Sequence, residues 1–329
     1  MQNNVLIIGF GNIAKRHIKN LIKIQKNIFF YILSRKKEIN LEDINKKNFK
    51  HIKKIDELDF KKINYSFICT ASNEHFKLIK ILSKKNTNIF IEKPLMNSTR
   101  KIKELSSIIR RSKHKIYVGY NLIFTKSLNY FKKLNFEKNL IKKVIVKAQY
   151  YLPYWRKNID YKKSVSAIKK MGGGVLLELS HEIHYILWIF GRPLWTSSVI
   201  EKKSKLKIDV EDNAYIILGF KNFNCYVELD FISKKYIRYC KVYLNNDIFF
   251  WEFKENSVTR YSNRKKIYLY QNKFDLNKSY LDQLKFFIQS NYIEINKYIK
   301  YSIDTLNIID SIKISSKYKG RVTKINYKN

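Results

Sequence analysis

The sequence predicts an α/β domain with a doubly wound parallel sheet, followed by an α+β domain with a largely antiparallel open sheet. Three observations carry this. An uninterrupted apolar run, residues 5–8, leads straight into the glycine-spaced turn Gly9-Phe10-Gly11-Asn12-Ile13-Ala14. Short apolar runs then alternate with amphipathic stretches as far as about residue 120. Beyond that point the apolar residues recur at every second position, which is the period of a strand with one face buried.

In chain order, residues 5–8, 28–33, 67–70, 88–91 and 115–118 read as buried strands, and 13–24, 74–83 and 98–111 as the helices between them. Strand–helix alternation is how a parallel sheet is connected, and unbroken apolar strands suit a sheet covered on both faces. After residue 120, segments 143–150, 214–219, 225–231 and 237–244 alternate apolar with polar residues, separated by short turns such as 221–224 and 245–247. A helix is expected over 174–190, and two more over 279–290 and 301–315. On the wheel of the first of these, Leu176, Leu179, Ile183, Ile186, Leu187 and Phe190 form an apolar face, while Glu178, His181 and His184 lie opposite. The expected division is residues 1–120 as one domain and 121–329 as the other.

The formal net charge of +39 suggests a polyanion-binding protein, but the cations are spread from end to end rather than gathered into an arm or patch. They accompany abundant Asn, Ile and Tyr, residues with AT-rich codons, and no nucleic-acid-binding motif, so no nucleic-acid partner is expected. A substrate bearing phosphate or carboxylate still benefits from the field. With 45% hydrophobic and 15% aromatic residues the chain has the material for packed cores. Cys69, Cys225 and Cys240 are scattered and form no C-x-x-C pair, which fits a reducing cytoplasm without disulfides or structural zinc. The first residues lack a cationic leader, and the most apolar segment, 175–190, is broken by Glu178, His181, Glu182 and His184, so neither export nor membrane insertion is expected.

The glycine turn is the first chemical signal. Gly9 permits a tight turn after the strand, Gly11 lets the backbone approach a pyrophosphate, and Asn12 and Ile13 open a helix whose free N–H groups and dipole favour anions. Ala14 is small enough for close helix–strand packing. A dinucleotide, NAD(P), is the expected cofactor. At the end of the second strand, where a carboxylate accepts from the ribose of NAD, the chain has Ser34-Arg35-Lys36-Lys37. A hydroxyl followed by cations suits a 2′-phosphate and favours NADP; the competing explanation is the general basic background. Glu92-Lys93-Pro94 follows the strand at 88–91, at the sheet edge where open α/β proteins place ligands. There Lys93 is suited to hydrogen-bond a reacting hydroxyl and stabilise alkoxide charge.

Taken together, these segments resemble the Gfo/Idh/MocA family, named for glucose–fructose oxidoreductase and inositol dehydrogenase. The resemblance rests on Gly9-x-Gly11-x-x-Ala14, on Thr70-Ala-Ser-Asn73-Glu-His75 at the family's T-P-N-x-x-H position, on Glu92-Lys93-Pro94, and on Gly119-Tyr120-Asn121. It continues through Tyr151-Leu-Pro-Tyr-Trp155-Arg156, Gly172-Gly-Gly-Val-Leu-Leu-Glu178-Leu-Ser-His181-Glu-Ile-His184, and the late segment 279–287 around Gln283.

The resemblance implies that Lys93 and His181 face the nicotinamide and substrate, and that Thr70, Asn73, His75 and Glu92 join the cofactor site. It implies hydride transfer to or from a carbinol carbon of a sugar, sugar nucleotide or cyclitol. Lys93 would polarise the oxygen, His181 would exchange the hydroxyl proton, and Glu178 would hold the imidazole, with Asn121, Trp155, Tyr161 and His184 at the substrate. The triple glycine and the Trp155-Arg156 context most resemble members associated with bacterial surface-sugar biosynthesis. Two positions depart from the family: His184 stands where an acidic residue is common, and Ile123 where Arg is frequent. These departures keep open a non-catalytic cofactor- or sugar-sensing protein on the same fold. Without the resemblance, His181 reads as a surface or interface residue of an amphipathic helix. No metal site is expected, because His181 and His184 do not form H-E-x-x-H. The broad face of the second sheet suggests a homodimer or homotetramer.

Overall fold

The computed structural model describes residues 2–41, 46–155 and 159–327. They form two compact units. The first comprises the chain up to Asn121 together with Tyr280–Ile303, and the second Leu122–Ser279 together with the stretch from Asp304. A single cut near residue 120 therefore does not describe the division, because a late helical segment returns to the first unit.

The first unit contains β1 (Asn3–Ile8), α1 (Asn12–Ile24), β2 (Ile28–Leu33), β3 (Phe49–Ile52), β4 (Tyr65–Ile68), α2 (His75–Leu82), β5 (Asn88–Glu92), α3 (Ile102–Arg111) and β6 (Ile116–Gly119). All strand pairs are parallel, in the order β3-β2-β1-β4-β5-β6. This is the doubly wound order of a dinucleotide-binding sheet, with its reversal between β1 and β4. Val5, Leu6 and Ile7 are fully buried, as are Phe67 and Phe90. The strand expected at 67–70 ends two residues earlier, at Ile68, which leaves Thr70 in the turn at the carboxyl edge.

Segment 280–303 supplies this unit with an aromatic plug. The ring of Phe287 lies 5.4 Å from Phe90, 6.0 Å from Phe67 and 6.0 Å from Tyr117. The ammonium of Lys115 donates to the carbonyls of Phe287, Ile288 and Ser290 at 2.9, 3.0 and 2.9 Å, closing the end of the helix that carries Phe287. Such cationic capping satisfies carbonyls that have no intrahelical partner.

The second unit begins with α4 (Lys126–Lys133), β7 (Lys143–Gln149), α5 (Val175–Glu178) and α6 (Ser180–Phe190). β8 (Trp195–Glu201), β9 (Asn213–Gly219), β10 (Asn224–Asp230), β11 (Ile237–Tyr243), β12 (Asp247–Glu252), β13 (Ser257–Ser262) and β14 (Lys265–Gln271) follow. Next come α7 (Leu276–Gln289), α8 (Tyr292–Lys317) and β15 (Thr323–Lys324), the two helices contributing residues to both units. The nine strands form one sheet in the order β14-β13-β12-β11-β7-β10-β9-β8-β15. In this sheet, among the described residues, only β7 and β10 pair in parallel.

The single helix expected over 174–190 is two helices joined at Leu179, whose φ of −96° and ψ of 26° leave the helical region. The predicted amphipathic wheel fails with it. In α6 even Glu182 and His184 are buried, at 0% and 3% exposure. Helix α8 is also longer than expected, because Ile295 and Ile299 continue a buried stripe one helical turn apart. No described helix is long and apolar enough to cross a membrane.

Candidate functional site

In the first unit, the predicted cofactor residues gather at the carboxyl edge of the sheet. Gly9, directly after β1, has a φ of +89°, and a Cβ there would lie 2.7 Å from the carbonyl oxygen of Cys69. Glycine is required by both backbone conformation and space. Gly11 caps α1 in an extended conformation, with no atom within 4 Å of where its Cβ would be. That open volume, beside the exposed Gly11 and Asn12 and the half-buried Ile13, is the cradle a pyrophosphate needs at a helix N-terminus. Ala14 is fully buried, as its packing role requires.

The end of β2 lies alongside, with the Gly9 amide donating to the Leu33 carbonyl at 2.9 Å. Ser34 is half-buried, and its hydroxyl accepts from the Lys36 amide at 3.2 Å. Arg35 is exposed. The ammonium groups of Lys15 and Lys36 lie 5.4 and 5.5 Å from the centroid of the Phe10 ring. Sequence reasoning missed Lys15 and Phe10 as partners; the approach of an α1 lysine and a β2-loop lysine to one ring is a tertiary event without a local signal.

The Thr70–His75 turn separates into exposed and buried parts. Thr70 and Asn73 reach solvent, whereas His75 is fully buried. Its Nδ1 is 2.9 Å from the Pro94 carbonyl and its Nε2 3.2 Å from that of Thr70. His75 thus ties this turn to the Lys93-Pro94 turn, and burial lowers its pKa. Lys93 itself is half-buried and precedes a cis peptide bond to Pro94. Glu92, the last residue of β5, is 8% exposed and lies 2.5 Å from Nε2 of His17 on α1. Asn121, after β6, is 2% exposed. With its carboxamide turned so that oxygen faces the donors, Gln283 accepts from the Tyr120 and Asn121 amides at 3.1 Å each.

In the second unit, the triple glycine delivers the chain into α5. Gly174 has a φ of +107°, and a Cβ there would strike the Glu211 carboxylate. The Glu211 carboxylate accepts from the Leu176 amide at 3.4 Å, and burial raises its pKa. Glu178 ends α5, partly exposed, and His181 stands in the first turn of α6 at 9% exposure. His184 lies one turn further on, where burial brings its pKa down to about 3, so it is neutral at physiological pH. Its neighbour Glu182 is held by Arg238 at 2.9 Å. Sequence reasoning passed over this pair because its members come from distant segments.

Trp155 and Tyr161 come together around a small cavity with Leu152, Ile159, Ser164 and Ser166. The Trp155 ring packs at 5.4 Å from Phe231 and 5.7 Å from Tyr150. The Tyr161 hydroxyl accepts from the Lys207 amide at 3.3 Å. Arg156 lies outside the described residues.

Residues 3–120 match the family described as Oxidoreductase family, NAD-binding Rossmann fold. Solved structures similar over the whole chain include levoglucosan dehydrogenase in complex with NADH and levoglucosan. Its TM-score is 0.82 at 14% identity, covering 99% of this chain and 100% of that one. GenD2 from gentamicin A biosynthesis, in complex with NAD, has a TM-score of 0.77 at 15% identity, covering 99% and 97%. The UDP-N-acetylglucosamine 3-dehydrogenase GnnA from Acidithiobacillus ferrooxidans has a TM-score of 0.73 at 12% identity, covering 97% and 99%. At these identities the likeness is one of fold. No curated protein matches the chain in sequence.

Proposed function

We propose that this chain, an NAD-binding oxidoreductase whose residues 3–120 belong to the Gfo/Idh/MocA family, transfers a hydride between a nicotinamide and a hydroxyl-bearing carbon of a sugar, sugar nucleotide or cyclitol. The observation that carries this reading is the half-buried Lys93 on the same sheet edge as the open cradle at Gly11. A bound nicotinamide supplies the hydride acceptor or donor. Lys93 polarises the substrate oxygen and stabilises its charge as the C–H bond breaks or forms. His181 exchanges the hydroxyl proton, and Glu178 orients its imidazole. Asn121, Trp155 and Tyr161 contact the substrate. His184, held neutral by burial, serves as a hydrogen-bonding group rather than a charge.

Structural neighbours include proteins described with levoglucosan and as acting on UDP-N-acetylglucosamine, which supports a sugar-like substrate here. Ser34 and Arg35 favour NADP, with Lys36 adding a second cation on the same loop. The chain works in the cytoplasm and assembles as a homodimer or homotetramer through the open face of its second sheet. That face exposes Val199, Tyr215 and Tyr226 beside the Lys147–Glu228 ion pair.

The test is a screen of sugars, sugar nucleotides and cyclitols for turnover of NAD(P)H or NAD(P)+. With the best substrate, Lys93→Ala and His181→Ala should each lower kcat by about a hundred- to ten-thousandfold. Cofactor affinity should change far less, because the dinucleotide is held mainly by the Gly9–Ala14 turn. Turnover by both variants at the unmutated rate would overturn the catalytic assignment. Cofactor binding without turnover of any sugar would favour a sensor.

A further inference from the structure

The contact between His17 and Glu92 joins two parts of the first unit that the proposed reaction uses separately. Glu92 directly precedes Lys93 at the end of β5, and His17 sits on α1, one turn beyond Ile13. His17 is fully buried, and its Nε2 approaches Glu92 Oε1 at 2.5 Å. Aromatic rings lie around it: Phe90 at 5.0 Å, Phe67 at 5.6 Å and Tyr280 at 6.2 Å between ring centroids. Nδ1 has no hydrogen-bond partner among the described residues. The imidazole therefore makes its polar contact with Glu92 among aromatic rings.

Glu92 reaches this position because β6 leaves room for it. A Cβ on Gly119 would lie 3.4 Å from Glu92 Oε1 and 3.0 Å from the Phe90 ring. Gly119 and Glu92 are register partners across β5 and β6. Other ionisable groups that sense the carboxylate are Cys69, His75 and Tyr117. Burying an imidazole and a carboxylate among phenyl rings is costly, and apolar residues of similar volume are often as stable or more so. Stability alone gives little reason for the pair. Its geometry gives a better one, because it binds the cofactor helix to the residue before Lys93.

We propose that His17 is a positioning residue: by clamping Glu92 it sets the Lys93-Pro94 turn against α1, so that occupation of the cradle at Gly11 is transmitted to Lys93. This rests on the reading above that the cradle holds the cofactor and that Lys93 acts on the substrate. Movement of α1 when its N-terminus takes the pyrophosphate would be passed through the His17 ring to Glu92 at the end of β5. The coupling needs only a donor at position 17 and an acceptor at position 92.

The experiment is amide hydrogen–deuterium exchange with and without NADPH, read at the peptides covering 9–14 and 90–96, with cofactor affinity measured by fluorescence. In the unmutated chain NADPH should slow exchange in both peptides. In His17→Leu the dissociation constant should stay within threefold while the slowing at 90–96 falls at least tenfold. His17→Gln, whose carboxamide still donates, should keep most of it. Should His17→Leu fail to fold, His17→Phe removes the donor while keeping a ring among Phe67 and Phe90, and should give the same selective loss. Slowing at 9–14 without slowing at 90–96 in the unmutated chain overturns the clamp alone. Full slowing at 90–96 in His17→Leu or His17→Phe, or an equal loss in His17→Gln and His17→Leu, also overturns it. Absence of slowing at 9–14 in the unmutated chain overturns the cofactor reading, and the clamp with it.

Discussion

Arg238 and Glu182 form an ion pair inside the second unit, with Arg238 Nε 2.9 Å from Glu182 Oε1 and side chains 12% and 0% exposed. The guanidinium also lies 5.3 Å from the centroid of the Phe253 ring. The pair explains how α6 tolerates a carboxylate at a fully buried position beside His181. Removing the cation alone leaves that carboxylate stranded, so Arg238→Ala should cost about 3–5 kcal/mol. The Arg238→Met, Glu182→Leu double variant should recover most of the loss. Urea denaturation of the three proteins checks this, and equal destabilisation of the single and double variants would show that packing, not charge, is what Arg238 supplies.

The two glycines of the first turn should fail in different ways. Gly9→Ala meets the Cys69 carbonyl and an unfavourable φ, so it should lower the melting temperature markedly. Gly11→Ala meets no protein atom, so it should fold normally and lose cofactor affinity, because its methyl group occupies the cradle. Thermal melts paired with NADPH fluorescence titrations separate the two effects.

Cofactor choice is expected to depend on the exposed Arg35. A charge-assisted hydrogen bond contributes about 1.5–3 kcal/mol, roughly ten- to a hundredfold in affinity. NADPH should therefore bind more tightly than NADH, and Arg35→Ala should remove most of the difference. Identical titration curves for both cofactors in the unmutated protein would refute the preference.

His184 makes stability depend on pH. Burial lowers its folded pKa from 6.5 to about 3, so between those values the unfolded chain binds the extra proton and the folded chain does not. Its contribution is present above pH 6.5 and is lost as pH falls toward 3, by at most about 1.4 kcal/mol per pH unit. The buried His75, shifted in the same direction, adds to the trend. Urea unfolding at pH 7 and pH 5 should show the decline, and His184→Phe should make it shallower.

What could be read beforehand was what the chain writes locally. The Gly9–Ala14 turn, the apolar strands around it and the Glu92-Lys93-Pro94 segment each carry their meaning within a few residues, and the parallel sheet follows from their alternation. The break at Leu179 has no such mark, since Leu is a good helix former and the surrounding apolar spacing suits a continuous helix. Strands β12, β13 and β14 were missed although Asn263 and Arg264, both at positive φ, form a two-residue hairpin turn between the last two. Arg264 is not a residue that announces such a turn. His17 looked like one more helix residue, because only the assembled sheet brings Glu92 to it.

The return of segment 280–303 to the first unit has a consequence for how the protein is made. A ribosome releases the parallel sheet's strands long before it has synthesised Phe287, whose ring packs on Phe67, Phe90 and Tyr117. At about 5–20 residues per second, the roughly 170 intervening residues take on the order of ten to thirty seconds. During that interval the nascent sheet carries an uncovered aromatic patch, and Lys115 has no helix end to cap. The second unit's long sheet must be synthesised while that patch waits. The nascent chain is therefore most in need of a chaperone between the completion of β6 and the emergence of Phe287.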